Sequence, residues 1–232
     1  FGFSNIVKKV LSIESKSNIR TSILDSTIPG CISRLTNDEI KTEFSENRIK
    51  NLDEIPSPYT TGLLDEFFDG KLSPMIQTNR GCPFSCTFCV DGSDSVNQIN
   101  QFSTKRVDDE LKYIANNVKS NTHGLLISDL NFGMYPKDIE ICDSIQNIQK
   151  EKKFPRYVKV TSGKNRPDRI SQAIKKLGDS TSMTLSVQSL NEQVLSNIKR
   201  SNISSDKLIQ LSPSLREQGL NTVSEIILGL PG

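Results

Sequence analysis

The feature that most constrains the fold is an alternation between short apolar runs and stretches with helical periodicity, which begins at Met75. After the first run, Val107, Leu111 and Ile114 recur at the spacing of one helix face. The same pattern predicts strands over 75–78, 125–127, 157–160, 183–187 and 223–228. Strands that alternate with helices favour a parallel sheet covered by helices, which either closes into a barrel or stays open.

The helices between these strands are predicted from apolar spacing and from residues that begin or end helices. Pro136 suits the first turn of the second helix, and Gly178 suits the left-handed position that ends the third. The predicted helices lie around 107–118, 139–149, 170–177, 194–198 and 207–218, the last kinked by Pro213.

Residues 1–73 lack this alternation and are predicted to be an irregular linker region. Pro56 and Pro58 favour extended backbone in the residues before them. We therefore divide the chain into 1–73, the C-terminal remnant of an upstream domain plus a linker, and 74–232, the core. The chain has no initiator Met and stops after an apolar run, so we expect a fragment whose core is truncated at the C-terminal end.

Composition argues against several classes of function. Lys and Arg total 29 against 27 Asp and Glu, a net charge of +2, and like charges form no long run, so nucleic-acid binding is not expected. The apolar runs are far shorter than the roughly 20 residues that span a bilayer, so no transmembrane segment is expected. No secretory signal is present, so we expect a cytoplasmic location.

Three of the five cysteines lie close together directly after the first predicted strand, at Cys82, Cys86 and Cys89. Gly81 and Pro83 flank the first of them, which favours a tight turn of the backbone. The odd number of cysteines and the missing secretory signal argue against disulfides. Cys thiolates ligate iron–sulfur clusters, and three ligands for a four-iron cluster leave one iron open.

A zinc site is the alternative interpretation, and it would need a fourth ligand from Cys31, Cys142 or the lone His123. Structural zinc sites usually pair their cysteines in two CxxC hooks, which this chain lacks. We otherwise treat Cys31 and Cys142 as structural, because a buried cysteine behaves as a small hydrophobe. We expect the three loop sulfurs to converge near the carboxyl ends of the strands, where parallel β/α folds carry their chemistry.

Segment 78–89, TNRGCPFSCTFC in one-letter code, resembles the cluster loop of radical S-adenosylmethionine (SAM) enzymes. The resemblance implies a partial (βα)6 TIM-like barrel that holds one [4Fe–4S] cluster on Cys82, Cys86 and Cys89. In this family the open iron binds the amino and carboxylate groups of SAM, and an electron from the cluster yields a 5′-deoxyadenosyl radical. Phe88 occupies the place of an aromatic residue against the adenine ring, or else packs beneath the loop.

Polar residues that close two of the predicted strands match cofactor contacts of the same family. Asp129 and Asn131 stand where the family binds the methionyl amino group, although an Asx turn would explain Asp129 equally. Gln188 and Ser189 are similar to the segment that touches the ribose and carboxylate, but Ser189 with Glu192 also forms a capping box.

Three further residues are weaker candidates for contact with the cofactor. Ile227 resembles a residue that backs the adenine in several families, and core burial explains it as well. Lys199 and Arg200 could reach the cofactor carboxylate or could act as partners of the helix dipole. Lys164 and Asn165, after the third strand, could instead face the substrate, although a solvated loop explains them more simply.

The subtype is indicated by the segments 28–30 and 51–59, which resemble the join between a cobalamin-binding domain and a radical SAM core. Asp129 with Asn131 and Phe132 also resembles cobalamin-associated members, in which methyl transfer is common. The cobalamin motif Asp-x-His-x-x-Gly is absent, so either cobalamin binds through a missing N-terminal domain or that domain never bound cobalamin. The resemblance implies a reductant such as flavodoxin or ferredoxin and a small-molecule or lipid-like substrate. Cobalamin-independent hydrogen abstraction or rearrangement, and a zinc-stabilised binding module, remain the alternatives.

Overall fold

The computed structural model describes residues 2–13, 18–24, 26–35, 37–43, 48–94, 96–163, 165–181, 183–200 and 222–232. The chain forms two compact units, Phe1–Lys50 and Asn51–Gly232. The predicted helix at 207–218 and Lys164 lie outside the described residues. Within the described part, no helix has the length and apolar character needed to cross a membrane.

The first unit is more regular than predicted. It contains helices α1 (Gly2–Leu11) and α2 (Ile19–Leu24) and an antiparallel hairpin of β1 (Cys31–Arg34) and β2 (Ile40–Glu43). The expectation of an irregular segment was wrong for these elements. The hairpin has no buried apolar face, since Ile32 is 72% exposed and Ile40 is 67% exposed, so its sequence carries little strand pattern.

Residues 51–73 belong to the second unit, although they were assigned to the linker from sequence. Leu52 and Tyr59 are buried there. The Tyr59 hydroxyl accepts a hydrogen bond from the Met75 N–H at 3.0 Å and donates one to the Met75 carbonyl at 2.7 Å. The segment is thereby attached to the first core strand. The assignment of 1–73 to an upstream domain and linker stays a prediction.

The second unit alternates strands and helices as the sequence predicts. Its elements are β3 (Met75–Ile76), β4 (Asn79–Arg80), β5 (Asn100–Gln101), α3 (Thr104–Asn117), β6 (Gly124–Ile127), α4 (Pro136–Lys152), β7 (Tyr157–Lys159), α5 (Pro167–Leu177), β8 (Met183–Gln188), α6 (Glu192–Asn197) and β9 (Thr222–Ile226). Strands β3, β6 and β7 form a parallel sheet in that order, and β8 pairs in parallel with β9. The parallel strands therefore bring their carboxyl ends to one edge of each sheet.

The longer helices of this unit each bury one apolar face. Helix α3 buries Val107, Leu111 and Ile114, and its N-cap Ser103 accepts a hydrogen bond from the Arg106 N–H at 3.1 Å. Complete burial of an Ile or Leu side chain contributes roughly 1.5–3 kcal/mol. Helix α5 ends at Gly178, as predicted, but with φ 55° and ψ −138° the glycine is outside the left-handed helical region that was expected.

A short antiparallel hairpin of β4 and β5 was not predicted from the sequence. Asn79 pairs with Gln101, and Arg80 pairs with Asn100. Each strand has only two polar residues, so neither carries a hydrophobic period that pattern reading could detect. The hairpin joins the two ends of segment 81–99, which we call the cysteine loop because it contains Cys82, Cys86 and Cys89.

Candidate functional site

The cysteine loop follows β3 and β4 and folds back on itself through two glycines. Gly81 has a positive φ of 105°, and a Cβ atom there would overlap the carbonyl oxygen of Gln98. A Cβ atom on Gly92 would overlap the backbone of Cys86. The Cys89 N–H donates to the Cys86 carbonyl at 3.1 Å, so the last two cysteines share one tight turn.

The three cysteine side chains have different surroundings. Cys82 and Cys86 are buried, whereas Cys89 is half-buried. The Asn131 amide Nδ2 lies 3.4 Å from the Cys82 sulfur, and the Arg200 Nη1 lies 3.9 Å from the Cys86 sulfur. The Cys89 sulfur lies 4.0 Å from the Asp91 carboxylate. The loop is thus attached to the end of β6 and to the segment after α6.

The expected convergence of the three loop sulfurs near the carboxyl ends of the strands stays a prediction. Among the described residues, no group of three or more His, Cys, Asp or Glu side chains is arranged to hold one metal ion. The zinc interpretation, which needs a fourth ligand besides the three loop cysteines, stays an alternative. Thiolates that bind different irons of one cluster have no need to meet at one point, and the all-sulfur donor set fits an iron–sulfur cluster.

Asp129 lies buried beneath the start of the cysteine loop, with 2% of its surface exposed. Its Oδ1 accepts hydrogen bonds from the backbone N–H of Thr78 at 2.8 Å and of Asn79 at 3.3 Å. Its Oδ2 accepts from the Thr78 hydroxyl and from the Asn79 side-chain amide. Four donors occupy about the full acceptor capacity of a carboxylate. Burial raises the pKa of Asp129, an effect that the Thr78 and Asn79 hydrogen bonds oppose.

These contacts favour a positioning role for Asp129 over the direct cofactor contact expected from sequence. The carboxylate joins the end of β6 to the residues that lead into the loop, so it is not the Asx turn within its own loop that sequence also allowed. Its assignment as a cofactor-binding residue stays a prediction.

Two buried polar atoms near Cys82 have no hydrogen-bond partner among the described residues. They are Oδ1 of Asn131, whose residue is 1% exposed, and the hydroxyl of Tyr135. Burial, with charges of Asp138, Cys82 and Asp129, raises the pKa of Tyr135 to about 12, so the phenol keeps its proton. Unpartnered buried polar atoms are costly, and they mark a place where a polar ligand group fits. Tyr135 was missed from sequence, because an aromatic residue before a helix-starting proline carries no functional signal.

The end of β8 places Gln188 beside Ile227. Gln188 has a left-handed φ of 64°, rare outside glycine, and its carbonyl accepts a hydrogen bond from the Ile227 N–H at 2.9 Å. A register shift between β8 and β9 occurs at the same place. Both side chains are partly exposed, Ile227 to 38%, so complete core burial does not explain Ile227.

The capping box predicted at Ser189 and Glu192 is wrong. Asn191 is the N-cap of α6, and its side chain accepts from the Val194 N–H at 3.1 Å. Ser189 instead accepts from the Asn191 N–H at 3.1 Å. The cap was misassigned because Ser and Asn are both strong N-cap residues, and the sequence offers them two positions apart.

The remaining candidate residues are placed as follows. Phe88 lies in a turn of the cysteine loop and is 39% exposed, so it is not buried beneath the loop. Cys142 is fully buried on α4, and burial raises the pKa of its thiol to about 12, as a structural role requires. Arg200 is buried against Cys86 and donates to the Ser186 carbonyl, so it is not a surface partner of the helix dipole.

Comparison with known protein families matches residues 76–232 to the Radical SAM superfamily. The chain belongs to this superfamily. The family and fold class expected from the cysteine loop and the strand-and-helix alternation are confirmed. The matched region contains the three loop cysteines and the residues expected from sequence to contact the cofactor.

Two curated relatives are similar to this radical SAM chain. The cobalamin-dependent radical SAM methyltransferase TokK of Streptomyces tokunonensis is 34% identical over 193 residues, 79% of this chain and 28% of the relative. A 2-(S-pantetheinyl)-carbapenam-3-carboxylate methyltransferase of Streptantibioticus cattleyicolor is 30% identical over 213 residues, 88% of this chain and 31% of the relative. The chain therefore spans less than a third of the length of these relatives.

A solved structure of the cobalamin-dependent SAM radical enzyme OxsB, with aqua-cobalamin and SAM bound, has a similar fold. The TM-score is 0.62 at 16% identity, with 95% of this chain and 32% of the OxsB chain covered. This likeness supports the partial radical SAM barrel.

Proposed function

We propose that the full-length protein is a radical SAM methyltransferase that uses a [4Fe–4S] cluster, SAM and cobalamin. The observation that carries the proposal is the enclosed cysteine loop at the carboxyl end of β3, in a chain 34% identical to a cobalamin-dependent radical SAM methyltransferase. Cys82, Cys86 and Cys89 would ligate the cluster. Once bound, the cluster supplies the electron that cleaves SAM reductively.

The chain's own residues would bind and orient SAM beside this loop. The Asn131 Oδ1 is a buried acceptor without a partner among the described residues, which suits an ammonium group of the ligand. Gln188, Ser189 and Ile227 present partly exposed groups at the end of β8 and just after β9. Phe88, which is 39% exposed, would pack its ring against the adenine. Asp129, with its acceptor positions occupied, holds the entry to the loop in place.

The domain assignment from sequence is part of the proposal. Residues 1–73 would contain the remnant of an upstream cobalamin-binding-like domain and the linker, and 74–232 the radical SAM core. Residues 51–73, which belong to the same compact unit as the core, would be the part of the linker that joins it. We place cobalamin on a domain outside these residues, because the chain spans less than a third of its methyltransferase relatives.

The partners follow from the same chemistry. Reductive cleavage consumes an electron, so a one-electron donor such as flavodoxin or ferredoxin would serve as the reductant. The substrate would be a small or lipid-like molecule with an unactivated carbon that receives the methyl group. A cytoplasmic location would supply both the reductant and SAM.

Product analysis of the reduced full-length protein tests this function. The proposal predicts bound cobalamin and conversion of SAM to both S-adenosylhomocysteine and 5′-deoxyadenosine. Formation of 5′-deoxyadenosine alone, without cobalamin, would replace methyl transfer with cobalamin-independent hydrogen abstraction or rearrangement. Stoichiometric tetrahedral zinc without iron would establish a non-catalytic binding module instead.

A further inference from the structure

Two of the three loop cysteines receive a side-chain N–H donor from outside the loop. The Asn131 amide lies 3.4 Å from the Cys82 sulfur, and the Arg200 guanidinium lies 3.9 Å from the Cys86 sulfur. The third sulfur, on Cys89, faces the Asp91 carboxylate at 4.0 Å. The electrostatic surroundings of the three thiols therefore differ, with donors at two buried sulfurs and a negative group at the half-buried one.

Arg200 is held so that its charge stays beside Cys86. The side chain is 7% exposed, and its Nη2 donates to the carbonyl of Ser186 on β8. The neighbouring Ile198 carbonyl accepts from the Thr87 N–H at 3.1 Å, which fixes this segment against the cysteine loop. A guanidinium does not deprotonate in proteins, so the site carries a permanent positive charge.

Asn131 is held equally firmly beside Cys82. Its neighbour Phe132 donates to the Thr161 carbonyl and accepts from the Gly163 N–H, both at 2.9 Å, so the backbone after β6 is attached to the segment after β7. The amide is 1% exposed. Burial in surroundings of low dielectric strengthens its interaction with a charged sulfur.

We propose that Asn131 and Arg200 set the reduction potential of the cluster by donating hydrogen bonds to the thiolates of Cys82 and Cys86. This inference rests on the proposed function, because it needs a cluster on the loop. Reduction adds one negative charge to the cluster, and N–H donors and a nearby cation stabilise that charge. Both residues therefore raise the potential and make the cluster easier for a flavodoxin- or ferredoxin-class donor to reduce.

The test is a redox titration, monitored by electron paramagnetic resonance (EPR), of anaerobically reconstituted full-length protein. Arg200→Met should lower the reduction equilibrium constant about tenfold, which is 59 mV for a one-electron couple. Arg200→Lys keeps the charge and should change this equilibrium constant less than about threefold. Asn131→Ala should lower the constant about threefold. The larger effect is expected at Arg200 because a charged donor forms a stronger hydrogen bond than a neutral one. The matched control is Arg169→Met, because Arg169 also donates to a backbone carbonyl, that of Met134. This variant should change the reduction equilibrium constant less than about twofold.

An unchanged potential in cluster-loaded Arg200→Met and Asn131→Ala would overturn the inference while leaving the proposed function intact. A wild-type protein that binds no cluster would overturn the proposed function itself. If the variants lose the cluster, pulsed EPR of reduced wild-type protein with ¹⁵N only in its arginine guanidinium groups decides the matter. A guanidinium nitrogen coupled to the cluster is expected, and its absence would refute the contact with Cys86.

Discussion

The ends of strands β6 and β8 both carry polar residues, yet the fold uses them differently. After β6, Asp129 and Asn131 are 2% and 1% exposed. Asp129 accepts hydrogen bonds from Thr78 and Asn79, which lead into the cysteine loop, and the Asn131 amide contacts Cys82 within it. At the end of β8, Gln188 and Ser189 are partly exposed, and Gln188 has a left-handed φ of 64°. One strand end holds the loop in place, and the other presents groups at the surface.

This difference has a simple physical origin. The backbone N–H groups of Thr78 and Asn79 and the Asn79 side-chain amide are buried, so each needs a hydrogen-bond acceptor. The Asp129 carboxylate supplies these acceptors. The end of β8 has a register shift and an Asn191-capped helix instead. A non-glycine residue with a left-handed φ costs about 1–3 kcal/mol, and such strain is frequent at ligand-binding positions.

Asp129→Ala should produce the largest effect on stability. It leaves buried donors of Thr78 and Asn79 without an acceptor, so the free energy of unfolding should fall by about 4 kcal/mol. Denaturant unfolding measures this, and iron analysis should show loss of the cluster. The control is Asp143→Asn, which breaks a partly exposed ion pair with Lys176 and should cost less than about 1 kcal/mol. Equal losses in both variants would contradict the role of Asp129 in holding the residues that lead into the cysteine loop.

Asp138, which is buried at the start of α4, should make the stability of the protein depend on pH. Burial raises its pKa from about 3.8 to about 7, so the folded state binds a proton that the unfolded state releases. Stability is therefore highest below pH 4 for this group and falls as pH rises through 7. The raised pKa of Asp129 acts in the same direction.

Asp138→Asn should remove the loss of stability that belongs to Asp138, which is roughly 4 kcal/mol between pH 4 and pH 8. Its side-chain oxygen can still accept from the Tyr135 N–H, so α4 should keep its first turn. Unfolding curves at a series of pH values from 4 to 8 measure the slope. A variant slope identical to that of the wild type would contradict the burial of an ionisable carboxyl at this strand end.

Gln188→Gly should have the smallest effect on stability and should affect ligand binding instead. Glycine removes the cost of the left-handed φ but adds entropy to the unfolded chain, so the net change should stay within about 1 kcal/mol. Affinity for SAM, measured by calorimetry on cluster-loaded protein, should fall. A large loss of stability with unchanged affinity would assign Gln188 to the scaffold.

The sequence predicted the repeated elements well, because their signals are local. Apolar spacing located α3 to α6, and Pro136 and Gly178 marked the start of α4 and the end of α5. The β4–β5 hairpin was missed, since its two-residue strands are polar and their pairing depends on residues about 20 positions apart. The hairpin nevertheless encloses the whole cysteine loop.

The candidate site was predictable in its residue types and less so in its contacts. The cysteines were found because three of them are clustered after a strand. The hydrogen-bond partners of Asp129 were not predicted, since a carboxylate at the end of one strand does not indicate which neighbouring segment it will contact. The contact of Arg200 with Cys86 joins residues 114 positions apart and needs the three-dimensional fold.

The central claim, that Cys82, Cys86 and Cys89 hold a cluster, is tested most directly by iron and sulfide analysis of anaerobically reconstituted full-length protein. Five single Cys→Ala variants would be compared with the wild type, with optical and EPR spectra of each. The account predicts [4Fe–4S] stoichiometry in the wild type and in Cys31→Ala and Cys142→Ala, and loss of the cluster in the three loop variants. Full iron content in a loop variant, or zinc in place of iron in the wild type, would contradict it.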